Sequence, residues 1–337
     1  MIECIFTIDY EIYGNGQGSL KELIYEPTQK LLGIFDKAKA KIVVFVEVSE
    51  LEQIEASGTD STINDVKYQV QELYRQGHEI ALHLHPQWYN ARWKNGNWEL
   101  DYSEYNLCAL PQKRIFQIID RSIAYLRNIT GATDFTPFSF RAGNWLFQPT
   151  QTLANALAEQ GIRVDSSVFK GGLQHQHKLD YRLSLRNGHY WRFSDDVNVH
   201  DHKGALLELP IHTQIVPTWK IFTTKRVGLQ RKTAPASRTN KNHDGGKKLQ
   251  RLMDFMRFRY PLKLDFCRMT INELTRMMDT VIKEDQQDPT IFRPIVAIGH
   301  TKDLVDFETV KSFLSYLDQK NIPVATFEDV YQRCNSQ

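Results

Sequence analysis

Cysteine is scarce in this chain: Cys4, Cys108, Cys267 and Cys334 are the only four in 337 residues. No two lie close in sequence and no Cys-x-x-Cys pair occurs, which argues against thioredoxin-like and zinc-knuckle sites. That usage fits a reducing compartment and gives no reason to expect a disulfide framework. No apolar run approaches the length of a bilayer span. The opening Met1-Ile2-Glu3 lacks the basic start and unbroken apolar stretch of an export signal. The expectation is a cytoplasmic protein, with a peripheral membrane role left open. An excess of one charge is also missing: 42 basic side chains stand against 40 acidic ones, for a net charge of +2. Partners must therefore be read from local charge. There is no internal repeat, and no stretch rich in proline, glycine or serine divides the chain into two similar halves.

What is present is ample apolar material, 41% of residues, in alternating strand-like and helix-like segments. Ile42 to Val46 is a continuous β-branched and aromatic run, as expected of a parallel strand covered on both faces. Cys4 to Ile8, Glu79 to Leu84, Phe138 to Phe140, Arg163 to Ser166, Leu206 to Leu209, Ile295 to Ile298 and Val324 to Thr326 read as further strands. Helical spacing marks Thr28 to Ala38, Asp65 to Arg75, Gln112 to Leu126, Thr150 to Glu159 and Phe307 to Leu317. Thr270 and Glu273 form a capping box before Leu274, Met277 and Met278. Alternation over the whole length predicts an α/β fold with a mainly parallel sheet and one catalytic domain over 1–337. Residues 213–268 stand out as a basic, partly mobile insertion, with ten basic residues and one acid, Asp244, in 220–251. A solvated loop and an anion-facing lid are both open for it. Leu252, Phe255, Met256 and Phe258 beside it look helical and directed to the core. No nucleic-acid recognition motif accompanies the charge.

Polar clusters fall where strands stop. Asp9 and Glu11 are two apart and share a side of an extended segment, so both carboxylates enter one pocket. His83 and His85 do the same after the apolar run from Ile80, with Leu84 turned away. Two imidazoles and a carboxylate suit zinc and other first-row ions. Arg141, in Phe140-Arg141-Ala142-Gly143, cannot lose its proton and needs a carboxylate partner, for which Asp9 is the natural candidate. His300 follows a buried run and is placed to donate a proton; Lys302 and Asp303 beyond it read equally as a solvated helix start. Asp165 and His212 are candidate pocket-wall residues, and Trp88 and Trp145 offer rings on which a sugar would stack.

These segments, in this order, resemble the polysaccharide deacetylases, the NodB-homology or carbohydrate esterase 4 group. Thr7-Ile8-Asp9-Tyr10-Glu11, Gly77-His78-Glu79-Ile80 leading to His83 and His85, Phe140 to Gly143, Leu207-Glu208-Leu209-Pro210, and His300 carry the likeness, over roughly residues 3 to 330. The His-x-His-Pro form is similar to the branch found with capsule and exopolysaccharide biosynthesis. The resemblance implies a distorted (β/α)7 barrel and metal-dependent hydrolysis of an N-acetyl group on an amino sugar, releasing acetate. It implies Asp9 as base, Glu11, His83 and His85 as ligands of a divalent metal, zinc by preference, Arg141 as the residue orienting Asp9, and His300 as acid. Two departures matter: Tyr10 separates the acids, and the histidines are two apart rather than four. Asp9 with His83 and His85, leaving Glu11 as base, is therefore an alternative set. The substrate is expected to be an N-acetylated sugar, with nucleotide-linked and lipid-linked forms open. A metal-dependent hydrolase of a small non-sugar amide and a non-catalytic glycan-binding or scaffold protein are the competing readings. Oligomeric state is not legible.

Overall fold

The computed structural model describes residues 1–221 and 258–335. Strand β1, Ile2–Tyr10, is buried along all nine residues, as a parallel strand with two covered faces must be. Strands β2 (Val43–Glu47), β3 (Glu79–Leu84), β4 (Ser139–Ala142), β5 (Val164–Asp165), β6 (Trp191–Phe193) and β7 (Leu206–Glu208) follow. An antiparallel ribbon of β8 (Thr213–Pro217) and β9 (Arg259–Lys263) precedes the last strand, β10 (Arg293–His300). Among the described residues the main sheet has eight strands, in the order β6-β7-β5-β4-β3-β2-β1-β10. All neighbours pair in parallel except β6 with β7. The sheet curls into a half-barrel. Isolated bridges from Ile211 to Phe169 and Val296, and from Asp265 to Ile298, complete the wall beside β10 with irregular chain.

Alternation along the strands separates two cores. Phe6, Ile8 and Tyr10 of β1 join the outer core beneath the helices, while Ile5 joins an inner core with Val43, Phe45, Ala81, Val164, Leu207 and Val296. Helices α1 (Glu26–Lys37), α2 (Val48–Ser57), α3 (Ile63–Arg75), α4 (Gln112–Thr130), α5 (Gln151–Glu159), α6 (Ile271–Gln287) and α7 (Phe307–Gln319) alternate with the strands. The capping box of Thr270 and Glu273 is present at the start of α6, and Gly77 takes φ +78 just past the end of α3.

Two expectations change. Val324–Thr326 is not a strand: Val324 makes one bridge to Cys4, and helix α8 (Phe327–Asn335) begins at once. Phe327 and Val330 of α8 enter the inner core at the N-terminal end of the strands. Phe258 is 94% exposed and not core-directed, because it sits at the outer end of the ribbon where β9 begins. Residues 222–257, with the expected loop and Leu252, Phe255 and Met256, lie outside the described residues.

Candidate active site

The inner face carries apolar side chains at one end of the strands and polar ones at the other. Asp9 lies near the end of β1, with Glu11 just beyond it; Glu47 ends β2; His83 lies near the end of β3, with His85 just beyond it; Arg141 is in β4 and His300 ends β10. Register brings them together, with Asp9 opposite His300, Glu47 opposite His83 and His83 opposite Arg141. The C-terminal rim of a parallel barrel is where active sites of such folds are built.

Arg141 has no solvent exposure and organises the centre. Its Nη1 donates to Asp9 Oδ1 at 2.6 Å, Nη2 to Thr7 Oγ1 at 2.9 Å, and Nε to the Ser166 carbonyl at 2.9 Å. The guanidinium also stacks on Phe45, 4.0 Å from the ring centroid. Burial opposes ionisation of Asp9, but Arg141, His83 and His300 overcome it and hold this carboxyl below its usual range. Asp9 Oδ2 is 3.3 Å from His300 Nε2. Burial draws the His300 pKa below its usual value, against the pull of Asp9, so the imidazole favours its neutral form.

Glu11 belongs to the neighbouring group. Its Oε2 is 3.1 Å from His85 Nε2 and 3.6 Å from His83 Nε2, and its Oε1 accepts from Lys302 Nζ at 2.7 Å. Burial opposes its charge, yet Lys302 and the imidazoles hold it well below the ordinary carboxylate range. Burial disfavours a charged His83 as well, but Asp9 and Glu11 outweigh it and raise this pKa to about 9.

The donor set fits a divalent ion. His83 Nδ1 lies 2.8 Å from the Arg141 carbonyl, an acceptor only, so Nδ1 carries a proton and donates it. With Nδ1–H fixed this way, Nε2 is the nitrogen that would give up its proton to an incoming cation; it is buried and has no hydrogen-bond partner, 3.6 Å from Glu11 Oε2. His85 Nδ1 lies 3.2 Å from the amide nitrogens of both Gln87 and Asn144, while Gln87 Oε1 is buried without a partner. With both amide nitrogens facing it, Nδ1 accepts and Nε2 carries the proton toward Glu11 Oε2; a half-turn of both amides would set oxygens against Nδ1 and leave Nε2 to a cation. Gly143 lets its own backbone pass close to His85, since a Cβ there would lie 2.5 Å from the Leu84 carbonyl and 2.8 Å from the His85 ring.

Asp9, Glu11, His83, His85, Arg141 and His300 thus form one buried cluster, with Trp145 beside it, 6.4 Å from the His300 ring. The other wall residues are placed elsewhere. Trp88 is 1% exposed and packs on Trp98, because the turn after His85-Pro86 carries it inward. Asp165 is fully buried beneath Arg141, bonded to Ser167 and paired in register with the buried Glu208. His212 lines a separate cavity with Lys170 and His189, since its backbone joins β10 at Val296, four residues before His300. Lys302 and Asp303 are not a solvated helix start: Lys302 pairs with Glu11, and the buried Asp303 accepts from Arg268 Nε at 2.7 Å.

Sequence reasoning missed Glu47, Glu50 and Lys263. Glu47 and Glu50 are 0% and 1% exposed. The signal for Glu47 was present, as the run Val43 to Val46 ends on an acid just as β1 does. Lys263 Nζ lies 3.3 Å from the centroid of the Trp145 ring, and burial lowers its pKa to about 7. Nothing in a lone lysine of an antiparallel ribbon signals that position.

Residues 22–164 match the polysaccharide deacetylase family. His83, His85 and Arg141 lie inside the matched stretch; Asp9, Glu11 and His300 lie outside it. No curated protein matches the chain in sequence. Among solved structures, one described as a polysaccharide deacetylase from Mycobacterium smegmatis is 15% identical, over 99% of this chain and 90% of that one, with TM-score 0.53. Puue allantoinase is 12% identical, over 100% and 91%, with TM-score 0.51. A 4-alpha-glucanotransferase from Thermococcus litoralis is 14% identical, over 98% of this chain and 40% of that one, with TM-score 0.55. At these identities the likeness establishes the shared fold alone, and three differently named activities on one fold leave the chemistry to the site.

Proposed function

We propose, for a chain that residues 22–164 mark as a polysaccharide deacetylase-type enzyme, that it hydrolyses the N-acetyl amide of an amino sugar and releases acetate with the help of one divalent ion. The observation that carries this reading is a buried group of Glu11, His83 and His85, with an unpartnered imidazole Nε2, set directly beside the ionised Asp9. Glu11, His83 and His85 would hold the ion, with zinc the expected metal for mixed nitrogen and oxygen donors. Such an ion polarises an amide carbonyl and makes nearby water more acidic.

The chain's own residues supply the rest. Asp9, kept charged and oriented by Arg141, takes the proton of the attacking water at Oδ2. His300 Nε2, 3.3 Å away, receives a proton from Asp9 and passes it to the departing sugar nitrogen. This order suits an imidazole that is neutral at rest. Glu11 is the better ligand and Asp9 the better base, because Asp9 is already engaged by a guanidinium while Glu11 Oε2 points at both imidazoles. Trp145 offers a face for the sugar ring. The four cysteines, all buried and none in a disulfide, support a cytoplasmic location, and His83-x-His85-Pro86 supports the capsule and exopolysaccharide branch. Among the described residues no helix is long and apolar enough to cross a membrane.

The test is acetate release from free, nucleotide-linked and lipid-linked N-acetylated sugars, using metal-stripped protein and protein reloaded with zinc. Asp9→Asn is expected to abolish release while metal content stays near that of wild type. Release that persists in Asp9→Asn, or that ignores stripping and reloading, would refute the reading.

A further inference from the structure

We infer that Glu47 is a fourth metal ligand, forming with Glu11, His83 and His85 a set of two imidazoles and two carboxylates; this rests on the metal-centre reading above. One ligand atom from each of the four lies within 4.8 Å of every other. All four residues are buried, Glu47 completely. Glu47 ends β2 directly beside His83 in the parallel register, so the backbone itself delivers both side chains to one place.

The two carboxylate oxygens of Glu47 are used unequally. Oε1 caps helix α2, accepting from the Glu50 N–H at 3.2 Å and from the Ser49 hydroxyl. Oε2 is buried and has no partner. Capping alone does not call for this residue, since Ser, Thr, Asp and Asn do it better and bring no long acid into the interior. A buried carboxylate oxygen without a donor is disfavoured unless the group takes a proton, toward which burial pushes Glu47, or a cation answers it, and the shared position with three other metal-ligating side chains favours the cation. His83 Nε2, in the same cluster, is the second buried atom without a hydrogen-bond partner. A single cation resolves both.

The other acidic cluster, Asp9 with Glu11 and His300, makes no equal claim. Arg141 already supplies positive charge to Asp9 at 2.6 Å, and Lys302 occupies the second oxygen of Glu11 at 2.7 Å. The cation position therefore lies on the side of Glu47. A second carboxylate also makes the set harder, which improves its standing toward manganese and cobalt relative to zinc.

The experiment titrates metal-depleted full-length protein with Co²⁺, following visible absorption and bound metal after equilibrium dialysis. Wild type is expected to bind one equivalent. Glu47→Gln should bind at least tenfold more weakly with an altered cobalt spectrum. Glu47→Ser keeps a good helix cap but removes the ligand, and it should weaken binding likewise while circular dichroism stays native. Wild-type affinity and spectrum in both Glu47 variants, with binding lost in His83→Ala, would reduce Glu47 to a cap and overturn the inference alone. Undiminished binding in His83→Ala as well would overturn the metal-centre reading and the inference with it.

Discussion

Arg141 couples fold and chemistry through single atoms. Its guanidinium is fully buried and divided among Asp9, Thr7 and Ser166, with Phe45 beneath it. Removing one partner of a buried ion pair leaves a charge without compensation, a loss on the order of 3–5 kcal/mol. Arg141→Gln should therefore lower unfolding stability by about that much in urea titrations; a loss below roughly 1 kcal/mol would mean Asp9 is solvated or neutral. Gln87 acts one residue removed from the ion. As one of the two amides facing His85 Nδ1, it is expected to cost about 10- to 100-fold in metal affinity when changed to Ala. Equal affinity by calorimetry would assign that role to Asn144.

Glu208 and Asp165 are a buried carboxyl pair below Arg141. Burial first, then the charge of Asp165, pushes the Glu208 pKa well above its usual value, and burial raises Asp165 to about 6. A carboxyl raised in the folded state keeps a proton that the unfolded chain loses. Its stabilisation is complete below the unfolded pKa of about 4.3 and is lost as pH rises through the folded value. Glu208→Gln keeps a donor and the shape but does not titrate. Relative to wild type it should gain stability steadily from pH 4 to pH 8; a difference constant over that range would show that Glu208 does not hold the extra proton.

At the scale of elements, each strand does two jobs, filling the barrel with one stretch and ending in a polar group. Helix α8 closes the opposite end. Phe327 is fully buried against Phe45, with ring centroids 6.0 Å apart. Phe327→Ala should cost about 3–5 kcal/mol yet leave metal stoichiometry intact, because Phe45 and the rim stand between α8 and the ligands. Loss of metal in a still-folded variant would contradict this separation. This helix was illegible in sequence, since its nine residues follow a short β-branched stretch and carry few apolar positions. Helix α2 was missed as well: it follows β2 directly and buries the polar Glu47, Ser49 and Glu50, so no sustained apolar spacing marks it. The long parallel strands and the 19-residue helix α4 were legible because their apolar spacing is sustained.

At the scale of the whole molecule, residues from five strands distant in sequence meet at one rim, and the order of the strands does the assembling. That is why the six central residues could be gathered from motifs alone: each ends or follows an apolar run that had to be a strand. Trp88, Asp165 and His212 show the limit, because a polar or aromatic letter after a strand does not say whether the side chain turns toward the rim, into the wall or to another cavity. An ion bound only by the folded rim must also stabilise the whole fold. At free metal about 100-fold above Kd the gain is roughly 2.7 kcal/mol, visible in chemical denaturation of wild type and absent in His83→Ala. An equal gain in both would place the ion elsewhere.

The most direct measurement is anomalous diffraction from crystals of the full-length protein grown with zinc, collected on both sides of the zinc edge. A single strong peak is expected within bonding distance, about 2.0–2.2 Å, of Glu11, His83 and His85, beside but not bonded to Asp9. A fully occupied site away from those three side chains, with nothing between them, would contradict the metal centre on which the hydrolytic reading stands.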